Sequence, residues 1–112
     1  MNEKTKLRNN TPNNENKQLV DPDGPRFEPG EIIATDAVQE KLGKMGMLLA
    51  VMRHLSCNWG EVSEQQRAQN ETSFETGQGQ IRSSYTTMFG VEYWVVTKAD
   101  RSSTTILLPE EY

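Results

Sequence analysis

The chain has 112 residues, 34% of them hydrophobic, and a net charge of −4, a length that bounds it to one domain with a modest core. A single cysteine, Cys57, excludes an internal disulfide and a multi-cysteine zinc site, and a single histidine, His54, excludes a histidine-pair metal site or two-histidine nuclease chemistry. The acidity disfavours direct nucleic-acid binding, which calls for a basic stripe.

Charge is shared unevenly. Through Pro29 the chain carries five acids and five bases, and beyond it eleven acids and seven bases. The excess acid fits a basic protein surface as partner, or plain solubility. The longest uninterrupted apolar run, Met47 to Met52, is too short to span a bilayer, and no apolar stretch near the N-terminus resembles a signal peptide. No membrane association is expected, and one free thiol suits a reducing, cytoplasmic setting.

Residues 1–29 hold six asparagines and four of the five prolines, with almost no aliphatic side chains. Such a segment cannot bury enough apolar surface to offset its ordering entropy, which predicts a disordered polar tail over 1–29 with a turn at Asp21 to Pro25. The remainder, 30–112, is expected to form a single α+β domain, its ordered part beginning near Phe27 or Glu31.

Glu31 to Thr35 suits a short strand or extended entry segment. Asp36 with Gln39 has capping-box spacing and opens a helix with Val38 and Leu42 on one face, ended by Gly43. After a break at Gly46, a second helix over Met47 to Ser56 places Leu48, Val51, Met52 and Leu55 at the spacing of a buried face. Ser63 with Gln66 caps a third, polar helix that runs to Thr76 and stops at Gly77.

From Ile81 the period changes to two. Ile81 to Met88, Val91 to Lys98 and Thr104 to Leu108 are expected as strands, with turns at Phe89-Gly90 and Asp100 to Ser103. The expected fold is three short helices packed on a small antiparallel β-meander. A two-residue first loop sets Tyr85 opposite Trp94 and Arg82 opposite Thr97; a four-residue second loop sets Thr97 opposite Ile106. That register makes both sheet faces apolar, so either a homodimer or protein partner covers the second face or the helices and the N-terminal strand suffice to do so.

The candidate catalytic residue is His54, as a general acid or base, against a capping or core-edge role near the helix C-terminus. Trp59 is a stacking platform or a lid on the core. Asn70, one turn before Phe74, turns its amide toward the sheet, where burial would oblige it to tie a neighbouring loop. The register gathers Arg82, Asp100, Arg101 and Ser102 at one end of the sheet as an anion-binding corner, against an Asx-type turn with solvated arginines. Tyr85 completes the candidate binding residues. Glu110, Glu111 and Tyr112 suit a solvated end from which Tyr112 could fold back. No phosphate-loop glycine pattern, nucleophile elbow or metal motif is present, so neither cofactor nor metal is expected.

Arg53-His54, Trp59-Gly60, Asn70, Ser84-Tyr85 and the run from Trp94 to Tyr112 together resemble a group of small bacterial proteins carried on plasmids, phages and integrative elements. Some of these are named plasmid-related protein, others type I restriction endonuclease subunit M. The resemblance covers residues 31–112 and is most specific in its C-terminal run; it implies a mobile-element accessory protein. A methyltransferase subunit would need a longer cofactor-binding domain with a glycine-rich first turn, which this chain lacks. Where the group usually has Gly-Asp-Trp-Gly, this chain has Cys57-Asn58-Trp59-Gly60, removing a carboxylate at position 58.

The functional expectation is a non-enzymatic protein-interaction module of a mobile element, modulating host defence or replication. The alternative is a small toxin-like hydrolase or nuclease using His54 with Arg82 or Arg101. A DNA mimic would need a continuous row of carboxylates, of which Glu64, Glu71 and Glu75 supply only a short one.

Overall fold

The computed structural model describes residues 24–112, so most of the expected tail lies outside the described residues. The fold is α+β: strand β1 (Glu31–Ala34), helix α1 (Asp36–Leu55), helix α2 (Glu64–Thr76), strands β2 (Ile81–Thr86), β3 (Glu92–Thr97) and β4 (Ser103–Leu107), and a closing 3-10 turn (Pro109–Glu111). The four strands form one sheet in the order β1-β4-β3-β2. β2, β3 and β4 make the expected antiparallel meander, but β1 joins β4 in parallel, so the sheet is mixed.

Two helices replace the expected three. Gly43 does leave helical geometry (φ 73°, ψ 171°), yet the chain resumes helix at once and passes through Gly46 without a break, so α1 is one kinked element. Its N-cap is Thr35, whose hydroxyl accepts from the Val38 N–H, and not Asp36. Gln39 reaches back instead to the Ala34 carbonyl at 3.0 Å. Ser63 caps α2 as expected, accepting from the Gln66 N–H, and Gly77 closes it in the left-handed conformation.

The register of β2 differs from expectation by one residue, and the cause is a loop one residue longer. Thr87 N–H donates to the Val91 carbonyl at 2.9 Å, leaving Met88, Phe89 and Gly90 as a three-residue connection with Gly90 at φ 84°. A left-handed third residue is what such a loop requires. Tyr85 therefore pairs with Tyr93 and Arg82 with Val96. At the second turn Thr97 pairs with Thr104 rather than Ile106, a two-residue shift that preserves the faces of β3 and β4.

A one-residue slip moves every β2 side chain to the opposite face. Ile81, Ser83 and Tyr85 join Tyr93, Val95, Thr97, Thr104 and Ile106 in the buried layer beneath the helices. Arg82, Ser84 and Thr86 fall on the outer face beside Trp94 and Val96. The sheet is thus apolar toward the helices and mixed outside, the ordinary pattern of a sheet with one covered face. The expected apolar character of both faces is not found.

The α1 face is also rotated from expectation. Val38, Ala50, Val51, His54 and Leu55 are buried on the sheet, whereas Leu48 and Met52 are 53% and 51% exposed. The packed unit starts earlier than Gly30: Arg26 N–H donates to the Leu55 carbonyl at 2.7 Å, and the Phe27 ring lies against His54, Trp59 and Phe74.

Candidate functional site

His54 is fully buried where α1 crosses the sheet. Its Nδ1 lies 2.6 Å from Ser83 Oγ on β2 and its Nε2 lies 2.8 Å from Thr97 Oγ1 on β3. Thr97 Oγ1 is 2.7 Å from Thr104 Oγ1 on β4, and Thr104 donates its hydroxyl to the Pro29 carbonyl at 2.8 Å.

Proton accounting fixes the direction of this chain, because each hydroxyl has one hydrogen. Thr104 spends its hydrogen on Pro29, so it accepts from Thr97. Thr97 then accepts from His54, which places the imidazole proton on Nε2. Nδ1 is left to accept from the Ser83 hydroxyl. Every group is satisfied by a neutral ring, and burial holds the His54 pKa down to about 3. Phe27 and Trp59 meet the ring edge-on, at 5.5 and 6.1 Å between centroids. With no solvent access and both nitrogens engaged, His54 is a buried cross-link from α1 to β2 and β3, and through Thr97 to β4. It is not placed to act on a substrate.

The other sequence candidates also have internal partners. Trp59 is 1% exposed and donates Nε1–H to Glu71 Oε2 at 2.9 Å. Asn70 acts on the outer edge of β2: its Nδ2 donates to the Arg82 carbonyl at 2.8 Å while its Oδ1 accepts from the Arg82 N–H at 3.1 Å. Farther along that edge, Ser84 N–H donates to the Trp59 carbonyl at 3.0 Å and the Ser84 carbonyl accepts from Glu61 N–H at 2.7 Å. Together the Asn70 amide and the 59–61 segment close the β2 edge. Tyr85 is buried, its hydroxyl donating to the Asn58 carbonyl at 2.6 Å, and burial pushes its phenol up to about 12.

The candidate anion-binding corner does not assemble. Arg101 turns inward, with Nη1 donating to the carbonyls of Gly79, Lys98 and Ala99 and Nη2 to that of Ser73. It pins the β3–β4 turn to the end of α2. Arg82 lies on the outer face with its guanidinium carbon 4.1 Å from the Trp94 ring centroid. Asp100 is exposed and accepts from Ser102 N–H at 2.9 Å, the Asx turn of the plainer reading, and the Ser102 hydroxyl and N–H hold its carboxyl below the usual range. Ser102 thus serves the turn. Cys57 is only partly buried, and burial raises its thiol pKa.

At the C-terminus, Glu111 Oε1 accepts from the Leu108 N–H and the Thr35 hydroxyl, both at 2.8 Å. Tyr112 meets Trp94 edge-on and accepts from Gln80 Nε2 at 2.6 Å. The last residues are folded back over the outer face.

What remains open is the opposite side of the molecule. Glu31 N–H donates to the Ser102 carbonyl and Thr35 N–H to the Ile106 carbonyl, so in the parallel pair the odd residues of β1 bond β4 and the even ones face outward. The Ala34 carbonyl is taken by Gln39, which leaves Ile32 with both its N–H and its C=O unpaired among the described residues. Beside it runs a groove of about 330 Å³ lined by Ile32, Ala34, Gln39, Met47, Leu48, Val51 and Ile106. Met45, Leu49 and Met52 extend the apolar flank along α1, each at least half exposed. From Met45 to Met52 the chain carries no charge.

Comparison with known proteins adds no further constraint. No family model, curated protein or solved structure matches the chain. Among the described residues, no group of three or more histidine, cysteine, aspartate or glutamate side chains is placed to hold a metal, and no helix is long and apolar enough to cross a membrane.

The exposed flank was missed in the sequence because Leu48 and Met52 satisfy a core periodicity. The signal that could have found it is the absence of any charge around the whole circumference of α1 between Lys44 and Arg53. A helix apolar all round asks to be covered on every side.

Proposed function

We propose that this chain is a non-enzymatic protein-interaction module whose docking surface is the flank formed by β1 and α1. One observation carries this reading: an uncharged helical face, with Leu48, Leu49 and Met52 half exposed, adjoins an open strand edge. Monomeric soluble proteins rarely leave such a patch in water unless something covers it. The resemblance of the Trp94 to Tyr112 run to mobile-element proteins supports placing the module on a plasmid, phage or integrative element, where it modulates host defence or replication through its partner. The hydrolase or nuclease alternative has less support, since His54 is enclosed and Arg82 and Arg101 are held apart from it by their own contacts.

The test compares affinity capture from the native host using the wild-type chain and Leu48→Asp. Leu48 is exposed, so the change leaves the core intact. Association held by the wild type and lost from the variant supports the reading, whether the species captured is another protein or the tagged chain's own untagged copy. Equal recovery by both removes this flank as the docking surface.

A further inference from the structure

We infer that the partner on this flank is a second copy of the chain, joined antiparallel through β1 about a two-fold axis at Ile32; the inference rests on the interaction reading above. The two edges of the sheet are treated differently. The β2 edge is closed by the Asn70 amide and the segment around Gly60. Among the described residues the β1 edge has no such cover at Ile32, and β1, Glu-Ile-Ile-Ala, though short and opening on one carboxylate, has no proline, no lysine and no bulge to block pairing.

The occupant follows from symmetry. An antiparallel pair of one residue with its own copy exchanges both N–H···O=C bonds, and Ile32 is the β1 residue with both groups available. Ala34 is a poorer centre because Gln39 already occupies its carbonyl. With the axis at Ile32, each Glu31 stands opposite an Ile33 and the two carboxylates are staggered, so no like charges face each other.

The side chains then match as well. Ile32 shares the helix-side layer with Thr104, and Ile33 shares the outer layer with Thr105. Strand spacing of about 4.8 Å puts the two β4 strands about 14 Å apart, so the two α1 helices lie side by side over the joined sheet. Their facing sides are the uncharged Leu48 and Met52 flanks, which meet apolar on apolar. A charged peptide or nucleic acid finds no counter-charge on this surface; a second copy supplies the same hydrogen-bonding edge and the same apolar face.

Light scattering and sedimentation of the full chain across a concentration series test this directly. The wild type is expected to form a dimer, and Leu48→Asp and Ile32→Pro are expected to be monomers with unchanged far-ultraviolet spectra and with urea midpoints that match the wild type only after it is diluted to its monomer. Proline at 32 removes an N–H that bonds nothing among the described residues. In a Cys57→Ser background, Ile32→Cys should close an intermolecular disulfide under mild oxidation, the paired Cα atoms being about 5.5 Å apart. Ile33→Cys should not, because its copies stand about 8 Å apart, beyond disulfide reach. A wild type that is monomeric throughout overturns the inference, as does a dimer indifferent to Ile32→Pro. A monomer that captures a different protein, lost on Leu48→Asp, overturns the second copy while leaving the interaction reading standing.

Discussion

His54 Nδ1 accepts a hydrogen bond from Ser83 Oγ at 2.6 Å, joining the middle of β2 to the last turn of α1 inside the core. Removing the ring orphans the buried Ser83 hydroxyl, takes from Thr97 the donor it accepts from while its bond to Thr104 remains, and leaves a cavity. His54→Ala is expected to cost about 3 kcal/mol or more, a large share of the stability of so small a domain. A urea titration checks it. A His54→Ala chain as stable as the wild type would contradict the buried relay.

The same residue sets an acid limit. Its pKa falls from the ordinary 6.5 to about 3 on folding, so between those values the unfolded chain binds a proton that the folded chain refuses. Stability is therefore full above pH 6.5 and is lost as pH falls, by about 1.4 kcal/mol per unit. Between pH 6.5 and 5, before most carboxylates titrate, unfolding free energy should drop by about 2 kcal/mol. His54→Gln, with nothing to titrate at this position, should show a much flatter profile in that window.

Asn70 stands in for a neighbouring strand at the β2 edge. Asn70→Ala frees the N–H and C=O of Arg82 and is expected to cost about 2 kcal/mol. Asn70→Asp should cost more, since a carboxylate cannot donate to the Arg82 carbonyl and repels it. Both changes open an edge that the wild type keeps closed, so turbidity on warming should rise alongside the fall in the urea midpoint.

Arg101 is a clamp on carbonyl oxygens, and the expected effects separate that role from anion binding. Arg101→Ala should lower stability by about 2 kcal/mol, and Arg101→Lys should recover little of it, because one ammonium cannot reproduce bonds from two guanidinium nitrogens to four carbonyls. Phosphate or sulfate titrated into the wild type should leave the chemical shifts of the 98–103 turn unmoved.

The strand segments, the cap at Ser63, the stop at Gly77 and the Asx turn at Asp100 were legible in the sequence because each depends on local chemistry. The same holds for Asn70, whose place on the Phe74 side of α2 pointed its amide to the sheet. Three features were not legible, each for a physical reason. The β2 register hung on whether the Phe89-Gly90 loop had two residues or three, and hydrophobic patterning fits either. The phase of α1 was ambiguous because Met45 to Met52 is apolar on all sides, so more than one stripe satisfied the helical period. The parallel partner of β1 lies at the far end of the chain, and no local signal records it. The anion corner failed for a related reason: side-by-side charges in a turn do not reveal that one of them, Arg101, faces carbonyls inside.

Phe27, at the boundary that the sequence leaves between polar tail and domain, covers the imidazole from the direction of the entering chain. A chain begun at Gly30 would lack this stopper and would admit solvent toward Nε2 and Nδ1. The pKa of its histidine would then rise from about 3 toward its ordinary value. The few residues ahead of β1 thus help set how far the His54 pKa falls on folding, and with it how steeply the stability of this domain declines in mild acid.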